Sequence, residues 1–499
     1  MHTKKSSVKF SSDQWAFAIC LLGFFFWSCL LTIKFDLFGF FDWDLALYAQ
    51  AMQSLCHGTT YTSLFQTSFL ADHSHYIAFL LVPIYALFPH PLTLIYLELF
   101  SFFAGAFIFY KIAVKAAGWM SAFVLMIIYI FHPANVFMLF YEFHFESLAT
   151  GFIFLMFYFW NERKWKPFII TAMITMLIKE NMALIVAMFG VYGILFGNVP
   201  IPDTRRYWES KWRWGGVIFG LGVICFLVNV FILIPYFRRD LMHTSNIYWS
   251  LYSHFGSGSQ GVFHNLFFHP IAVIREVNTV HNWKYLIDCT GPFLFLSLFG
   301  PRFLIGLPIL AQNLLSNASS MHTIYYHYAA ILIPFAAMGA VDALSLIKTH
   351  VRKGVYAVFI ALIILSTGFF VRHYSGAWQI RIDSWADPLV PVRQYMIEQI
   401  PKGTSVVTGF SFLSHLTDHQ ELYAFYNVWR DVNYYTGQQP FKLPDNIQYA
   451  LIDFNDQWLL DDLSLHPDFT RSRVKDFFIK YKWVVKRRYG NIVLYERGK

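Results

Sequence analysis

The sequence predicts an all-α polytopic membrane protein that carries a small α/β domain at its C-terminal end. Of the 499 residues, 57% are hydrophobic and only 14% are charged, whereas soluble globular proteins carry about a quarter charged residues. Apolar runs at 15–33, 92–114 and 355–371 approach or reach the ~20 residues that a helix needs to cross a bilayer. After residue 373, short apolar runs alternate with polar segments, which indicates a separate domain.

The charge distribution supports a membrane protein and argues against a nucleic-acid-binding one. The net charge is +8 with neutral histidines, and Lys and Arg accumulate in the cytoplasmic loops of membrane proteins. The sequence has no basic cluster of the kind that marks a nucleic-acid-binding face, so we expect no nucleic-acid partner. The five cysteines show no metal-ligand or redox-pair spacing and no evident disulfide framework.

Basic residues determine the predicted orientation in the cell (inner, cytoplasmic) membrane. Lys4, Lys5 and Lys9 place the N-terminus in the cytoplasm, so the first helix exits to the outer face. Residues 34–91 then form the first external loop, in which 77–88 is too short to span and is predicted to lie in the outer interface. Threading the remaining chain gives about eleven spans. They are predicted at roughly 15–33, 92–114, 119–137, 147–160, 167–178, 182–197, 215–235, 284–299, 303–316, 325–346 and 355–372.

The end of the last span divides the chain into two predicted domains. Residues 1–373 form the transmembrane domain, and residues 374–499 form an extracytoplasmic α/β domain. Tyr489, Gly490 and Asn491 have the composition of a hairpin turn near its C-terminal end. Strands are predicted in this domain at 405–408, 449–453, 483–486 and 492–495, and a helix at 469–479.

Unusual polar residues collect in the predicted external loops and at the outer ends of the spans. Ionisable groups at membrane depth are expensive and usually face a cavity or one another, so this set is a candidate functional site. It comprises Asp42, Asp44, Asp72, His73, His75, Glu142, His144, Glu146, Lys179, Glu180, His322, His327 and Tyr328.

Two carboxylates, Asp42 and Asp44, follow soon after the first span. They could hold a divalent cation through oxygen ligands. Alternatively, one could act as a general base toward a hydroxyl, with a pKa that its neighbour raises. A solvated loop is the third alternative. The flanking aromatic residues Phe41 and Trp43, in place of Gly, Ser or Lys, favour a functional role.

Three further groups have both a structural and a functional interpretation. Asp72 and His73 precede the interfacial helix, where Asp is also a favoured N-cap. The turn 142–146 concentrates two glutamates and a histidine, without a spacing typical of metal ligands. Lys179 could neutralise a phosphate as a point charge, or it could form a structural ion pair with Glu180.

Several short motifs stand in a characteristic order along the chain. They are Asp44-Leu45, Leu47-Tyr48 with Gln50, His57-Gly58, Asp72-His73, Pro83-Ile84-Tyr85-Ala86-Leu87-Phe88-Pro89, Phe143-His144-Phe145-Glu146, Lys179-Glu180 and His327-Tyr328. This set resembles a family of bacterial and archaeal membrane proteins, domain-of-unknown-function family 2079, which is grouped with the GT-C glycosyltransferases. The resemblance covers roughly residues 35–345 and, more loosely, the tail from about residue 400.

The sequence departs from the family pattern at two positions. Ala49 stands where the family often has a second acid before Gln50, and Phe145 replaces the usual Pro between His144 and Glu146. The first departure favours Asp44 as the essential charge. The second affects the turn geometry of the loop.

The resemblance implies an enzyme that moves a sugar from a polyprenyl-phosphate-linked donor to a glycan, lipid or protein acceptor at the outer membrane face. It implies that Asp44, Asp72 and His73 are catalytic, with Asp44 deprotonating the acceptor hydroxyl. Lys179 and His327 would stabilise the leaving phosphate, where negative charge develops. The other implied substrate-binding residues are Asp42, Tyr48, Gln50, Glu142, His144, Glu146, Glu180 and Tyr328.

Two alternatives stay open at this point. A divalent cation, Mg or Mn, could be held by Asp42 and Asp44 as a cofactor. The protein could also be a non-enzymatic transporter or flippase of lipid-linked or envelope precursors, with polar residues in broken helices lining a path. A single cavity that contains Asp44, Asp72, Glu146 and Lys179 would favour the enzyme, whereas a path across both leaflets would favour the transporter.

Overall fold

Helices dominate the chain up to residue 383. The first helix begins with a capping box, in which the Ser11 hydroxyl accepts from the Gln14 N–H and Gln14 Oε1 accepts from the Ser11 N–H. The computed structural model describes residues 11–197, 199, 207–239, 241, 247–419, 421–433, 437 and 439–498. The α-helices of this part are Ser12–Asp36, Asp44–Cys56, Ile77–Leu87, Pro91–Ala117, Trp119–Ile130, Pro133–Phe140, Ala149–Asn161, Trp165–Met176, Met182–Phe196, Tyr207–Val228, Ile234–Phe237, Gly258–Phe268, Pro270–Val277, Val280–Thr290, Leu307–Leu314, Ile333–His350 and Lys353–Asp383.

Within the described residues, five helical segments are long and apolar enough to cross a membrane. A sixth results if Trp119–Ile130 and Pro133–Phe140, which meet at a bend of 44°, form one span. The other predicted spans correspond to shorter or interrupted helices, so the count of eleven stays a prediction. Lys4, Lys5 and Lys9, which set the predicted orientation, lie outside the described residues. The five long segments are Ser12–Asp36, Pro91–Ala117, Lys211–Phe237, His327–His350 and Lys353–Asp383.

The predicted first external loop is itself ordered into short elements. The helix Asp44–Cys56 is followed by a small antiparallel hairpin of β1 (Tyr61–Thr62) and β2 (Thr67–Ser68). The helix Ile77–Leu87 then confirms the short helix predicted at 77–88. Most residues of Asp44–Cys56 are buried, so this segment is part of the protein core.

A close helix contact positions the loop between residues 140 and 149. The helices Pro91–Ala117 and Ala149–Asn161 cross at Gly105 and Gly151. A Cβ atom added to Gly105 would lie 2.8 Å from the Gly151 Cα, and one added to Gly151 would collide with the Ser101 backbone oxygen. Small residues permit such close backbone approach between membrane helices. The contact therefore fixes the helix Ala149–Asn161, which follows the polar loop, against the helix Pro91–Ala117.

A five-stranded sheet forms the core of the C-terminal domain. Its strands are β3 (Val406–Thr408), β4 (Leu422–Ala424), β5 (Tyr449–Asp453), β6 (Trp483–Tyr489) and β7 (Ile492–Arg497), in the order β4-β3-β5-β7-β6. β3 pairs in parallel with both β4 and β5, whereas β7 is antiparallel to β5 and β6. This confirms the predicted α/β character and the terminal hairpin.

Some elements of this domain differ from the sequence prediction. The strand β4 was not predicted, because three residues are too few to show an alternating pattern. The helix Lys353–Asp383 also continues past the predicted domain boundary at residue 374. The helices after residue 383 are Val390–Glu398, Phe410–Leu413, Phe425–Arg430, Gln457–Leu465 and Pro467–Tyr481, the last of which contains the helix predicted at 469–479.

The C-terminal domain is anchored to the first external loop by buried hydrogen bonds. The Ser63 hydroxyl donates to the Leu422 carbonyl at 2.7 Å and accepts from the Leu422 N–H at 2.9 Å. The Gln50 side chain in turn donates to the Ser63 hydroxyl and accepts from the Leu64 N–H. Asn433 donates to the Phe65 carbonyl. Gln50, predicted to bind substrate, therefore holds the loop and the sheet edge together.

We predict that Gly151→Ala destabilises the protein by about 1–3 kcal/mol, because the added methyl group must displace backbone atoms of the neighbouring helix. The measurement is the midpoint of thermal unfolding in detergent. Gly216→Ala is the matched control, since a Cβ atom there meets nothing within 4 Å and alanine favours a helix. Equal midpoints for the two variants would contradict the close-contact interpretation.

Candidate active site

The predicted site residues meet at one cavity of about 490 Å³. Its walls come from the first external loop, the loop 141–148, the turn 177–181, the helices that contain Leu184, Phe226 and Val230, the segments 248–266 and 308–328, and the C-terminal domain. Three predicted site residues, Gln50, Glu142 and His322, do not line it. Those that do are Asp42, Asp44, Tyr48, Asp72, His73, His75, His144, Glu146, Lys179, Glu180, His327 and Tyr328.

Glu142 lies behind the cavity and holds the backbone that presents Asp44. Its carboxylate accepts from the Asp42 N–H and from the Leu45 N–H, each at 2.8 Å. These donors lie at the start of the helix Asp44–Cys56, which has no capping side chain of its own at Trp43. Glu142 thus acts as the cap from a distant loop, because its oxygens accept from N–H groups that the helix itself leaves without acceptors. Burial, with Asp42 and Asp44 nearby, raises the pKa of Glu142 to about 8.

Asp44 and His144 lie next to each other in the cavity wall. The two side chains approach to 3.3 Å between Asp44 Oδ2 and His144 Nε2. His144 Nδ1 donates to the backbone carbonyl of Glu142 at 3.1 Å, so a neutral His144 has no proton on Nε2. A hydrogen bond between the pair therefore requires one additional proton on either residue. Burial raises the pKa of Asp44 to about 6, although electrostatic interactions with His327 and Lys179 oppose the shift.

A buried ion-pair cluster adjoins this pair. Lys179 Nζ lies 2.5 Å from Glu146 Oε2, and His327 Nε2 lies 2.7 Å from Glu146 Oε1. The rings of His144 and His327 stack with centroids 3.5 Å apart. Burial opposes ionisation of Glu146, but Lys179 and His327 hold the pKa of Glu146 well below its usual range. Lys179 is therefore ion-paired with Glu146. The structural ion pair between Lys179 and Glu180 that the sequence suggested is not formed.

A second cluster joins the segment 72–74 to the turn at 180. His73 Nδ1 donates to Glu180 Oε1 at 2.7 Å, and the Ser74 N–H donates to Glu180 Oε2 at 3.1 Å. The Asp72 carboxylate accepts from the Tyr248 hydroxyl at 2.8 Å. The N-cap alternative for Asp72 is wrong, because the helix Ile77–Leu87 begins after Tyr76 and has no side-chain cap.

The other lining residues that were predicted from the sequence are aromatic. Tyr48 lies with its hydroxyl 3.5 Å from His75 Nε2, and its ring packs edge-on against His144. The Tyr328 ring packs against His327, with ring centroids 4.1 Å apart. Outside the cavity, His322 contacts Asn282 and the Ser316 carbonyl.

Several polar residues at the site were not predicted from the sequence, among them two tyrosines that line the cavity and an arginine next to it. The Tyr141 hydroxyl donates to Asp42 Oδ2 at 3.0 Å, Tyr248 donates to Asp72, and the buried Arg238 donates to the Ala71 carbonyl. The sequence could have identified Arg238, because this arginine follows an apolar run whose end was predicted to be external. Basic residues are depleted on that side. Nothing in the sequence distinguishes the two tyrosines, because 20% of the residues are aromatic.

The predicted metal ligands Asp42 and Asp44 have other partners. Asp42 accepts from Tyr141 and from the Trp43 N–H, and Asp44 faces His144. Among the residues that the structure describes, no group of three or more His, Cys, Asp and Glu side chains has a geometry that could hold a metal ion. The donor set therefore does not fit a preformed metal centre, and a cation at Asp42 and Asp44 stays a prediction.

Comparison with known proteins identifies a matching family and structures with a similar fold. Residues 36–475 match the model of a family described as predicted membrane protein, DUF2079. The crystal structure of ArnT from Cupriavidus metallidurans bound to undecaprenyl phosphate is similar with a TM-score of 0.51, 12% identity and coverage of 96% of each chain. No curated protein matches this chain in sequence.

Two structures of the oligosaccharyltransferase from Archaeoglobus fulgidus are also similar. The one tethered with an acceptor peptide has a TM-score of 0.42 and 11% identity, covering 97% of this chain and 74% of that chain. The complex with Zn and sulfate has a TM-score of 0.40 and 12% identity, covering 85% and 66%. The architecture of this chain is that of the GT-C glycosyltransferases, as its motifs predicted.

We predict that Glu142→Ala lowers the free energy of unfolding by about 1 kcal/mol or more, because two buried N–H groups lose their acceptor. The measurement is thermal unfolding in detergent. Glu276→Ala, at an exposed position on the helix Pro270–Val277, is the control and leaves the midpoint unchanged. A midpoint for Glu142→Ala equal to that of the parent protein would rule out the capping role.

Proposed function

Because this chain belongs to the DUF2079 family of membrane proteins and has the GT-C fold, we propose that it is a membrane glycosyltransferase. It moves a sugar from a polyprenyl-phosphate-linked donor to an acceptor hydroxyl at the outer face of the cell membrane. The N-terminus is then cytoplasmic, and the C-terminal domain lies outside the cytoplasm.

One observation carries this proposal: a buried acid with a raised pKa shares a cavity with cationic groups. Asp44 retains 15% exposure of its side chain toward the cavity, so an acceptor hydroxyl can reach it. Asp72, Glu146 and Lys179 line the same cavity, which favours a transferase over a transporter.

The transfer step follows from the position of Asp44. The acceptor oxygen attacks the anomeric carbon of the donor sugar and forms the new glycosidic bond. The bond between that carbon and the phosphate oxygen breaks, and its electron pair leaves with the phosphate. The hydroxyl proton passes to the Asp44 carboxylate. A single displacement of this kind inverts the anomeric configuration.

Cationic groups on the neighbouring wall suit the leaving phosphate. Lys179 pairs with Glu146 through one of its three N–H donors, so the others can turn toward a ligand. His73 lies on the same wall and is held by Glu180. Negative charge grows on the phosphate as the bond breaks, and such preorganised donors stabilise it.

An aliphatic and aromatic wall suits the lipid part of the donor. Phe226, Val230, Val262, Phe263 and Leu266 line the cavity on the side of the helices Tyr207–Val228 and Gly258–Phe268. The latter helix ends in two strongly exposed phenylalanines, at 267 and 268, as expected for a segment that contacts lipid. A polyprenyl chain in this region would bring its phosphate to the polar groups by confinement in the membrane.

We predict that Asp44→Asn reduces transfer by about 10²–10⁴-fold, the usual contribution of a general base. The measurement is the release of free polyprenyl phosphate, by mass spectrometry, from a panel of polyprenyl-phosphate hexoses and pentoses incubated with membrane extract as the source of acceptor. Asp36→Asn, an exposed acid at the end of the first helix, is the control and retains full activity. Near-normal release by Asp44→Asn in a folded sample would remove Asp44 from the mechanism.

We also predict a pH dependence. A base acts only when ionised, so transfer falls about tenfold per pH unit once the pH drops below the Asp44 pKa of about 6. Transfer rates are measured across this range, with thermal unfolding at each pH to separate catalysis from stability. A rate that stays constant through this range while the protein remains folded would contradict the assignment.

A further inference from the structure

The wall of the cavity that belongs to the C-terminal domain is aromatic. Phe410, Tyr426 and Trp458 line it, next to Trp43 of the first external loop. Trp43 contacts Phe410 and Tyr426 with ring centroids 5.6 and 6.1 Å apart. Trp458 stands edge-on to Phe410 at 5.7 Å, with an interplanar angle of 89°, and remains 47% exposed. We refer to Phe410, Tyr426 and Trp458 as the aromatic wall.

The topology of the sheet explains why these three residues meet. Phe410 follows the end of β3, Tyr426 follows the end of β4, and Trp458 follows the end of β5. These are the three mutually parallel strands, so their carboxyl ends share one edge. In open α/β sheets, ligands bind outside the carboxyl ends of the parallel strands. The ligand-binding edge of this domain therefore opens into the cavity that contains Asp44.

Asp44 lies between a group of ionisable side chains and a group of aromatic ones. On one side, Asp44 reaches His144, whose ring stacks on His327 beside Glu146 and Lys179. On the other, its chain neighbour Trp43 contacts the aromatic wall. If the donor binds with its phosphate near Lys179, the aromatic wall stays available for the acceptor.

The geometry points to a sugar-binding subsite for the acceptor: we propose that the aromatic wall binds a pyranose ring of a glycan acceptor and presents its hydroxyl to Asp44. This inference rests on the proposed function and adds the class of the acceptor. The axial C–H groups of a pyranose form an apolar face that fits the face of an aromatic ring. Asp42, next to Trp43, lines the cavity beside this position and offers carboxylate oxygens to sugar hydroxyls.

A lipid or a peptide acceptor fits this wall less well. An acyl or prenyl chain needs no flat rings and is already accommodated by the wall that contains Val230, Val262 and Leu266. An extended peptide can bind by adding a strand to a sheet edge, but β4, the edge strand that leads to Tyr426 of the aromatic wall, is held by Ser63.

The test measures binding of methyl glycopyranosides to the full-length protein in nanodiscs, by saturation-transfer difference NMR. The panel contains the gluco, galacto, manno and N-acetylglucosamine forms, with sorbitol as the ring-free control. We expect at least one pyranoside to bind while sorbitol does not. Trp458→Ala weakens that binding by about tenfold, and Trp458→Phe restores most of it, because a ring face is retained.

Phe469→Ala is the matched control. Phe469 is 46% exposed on the helix Pro467–Tyr481 of the same domain and does not line the cavity. Binding unchanged by this variant shows that the loss in Trp458→Ala is local. Absence of binding by every pyranoside, or equal binding by the parent protein and Trp458→Ala, would overturn the inference.

Two further measurements test whether the bound sugar belongs to the donor or to the acceptor, and whether the acceptor is a glycan or a peptide. Displacement of the bound pyranoside by a short-chain polyprenyl-phosphate hexose would assign the wall to the donor sugar and overturn the acceptor assignment. Binding of a serine- and threonine-containing peptide in place of the pyranosides would overturn it as well. Pyranoside binding is measured without a donor and without transfer, whereas the catalytic proposal is tested by Asp44→Asn in the transfer assay, so failure of this inference is distinguishable from failure of the catalytic proposal.

Discussion

The hydrogen bonds of the Glu142 carboxylate with the Asp42 and Leu45 N–H groups are the contact on which the site depends. They join two loops that lie a hundred residues apart in sequence and place Asp44 at the start of a buried helix. Without an acceptor, two buried donors would be unsatisfied, and such groups are costly. The same loop carries His144 and Glu146, so one contact sets the relative position of the proposed base and the ion-pair cluster.

Charge compensation explains why so many ionisable groups can coexist in an apolar protein. Glu146 is held by Lys179 and His327, and Glu180 by His73. Buried charges persist only when they are paired and hydrogen-bonded. Asp44 differs, because a hydrogen bond with its partner His144 requires an additional proton on one of the two residues. The pairs therefore stabilise the architecture and leave Asp44 as the carboxylate suited to accepting a proton.

The C-terminal domain does more than cover the transmembrane part. It is anchored through Ser63 and Asn433 and contributes the aromatic wall of the cavity. The external loop and the sheet thereby form one side of the cavity, while the helices around Val230 and Val262 form another. This arrangement separates a surface suited to a lipid from one suited to a sugar, with the polar groups between them.

The sequence by itself determined the membrane class, the GT-C resemblance, the short helix after His75, four of the five strands and most of the polar residues that share the cavity. These follow from local composition, periodicity and motif order, which need no knowledge of distant contacts. Tertiary structure alone decided that Lys179 pairs with Glu146, that Glu142 caps a helix, that Gln50 anchors a loop and that β4 exists. Each of these depends on residues far apart in the chain, whose pairing is set by packing and by the need to satisfy buried polar groups.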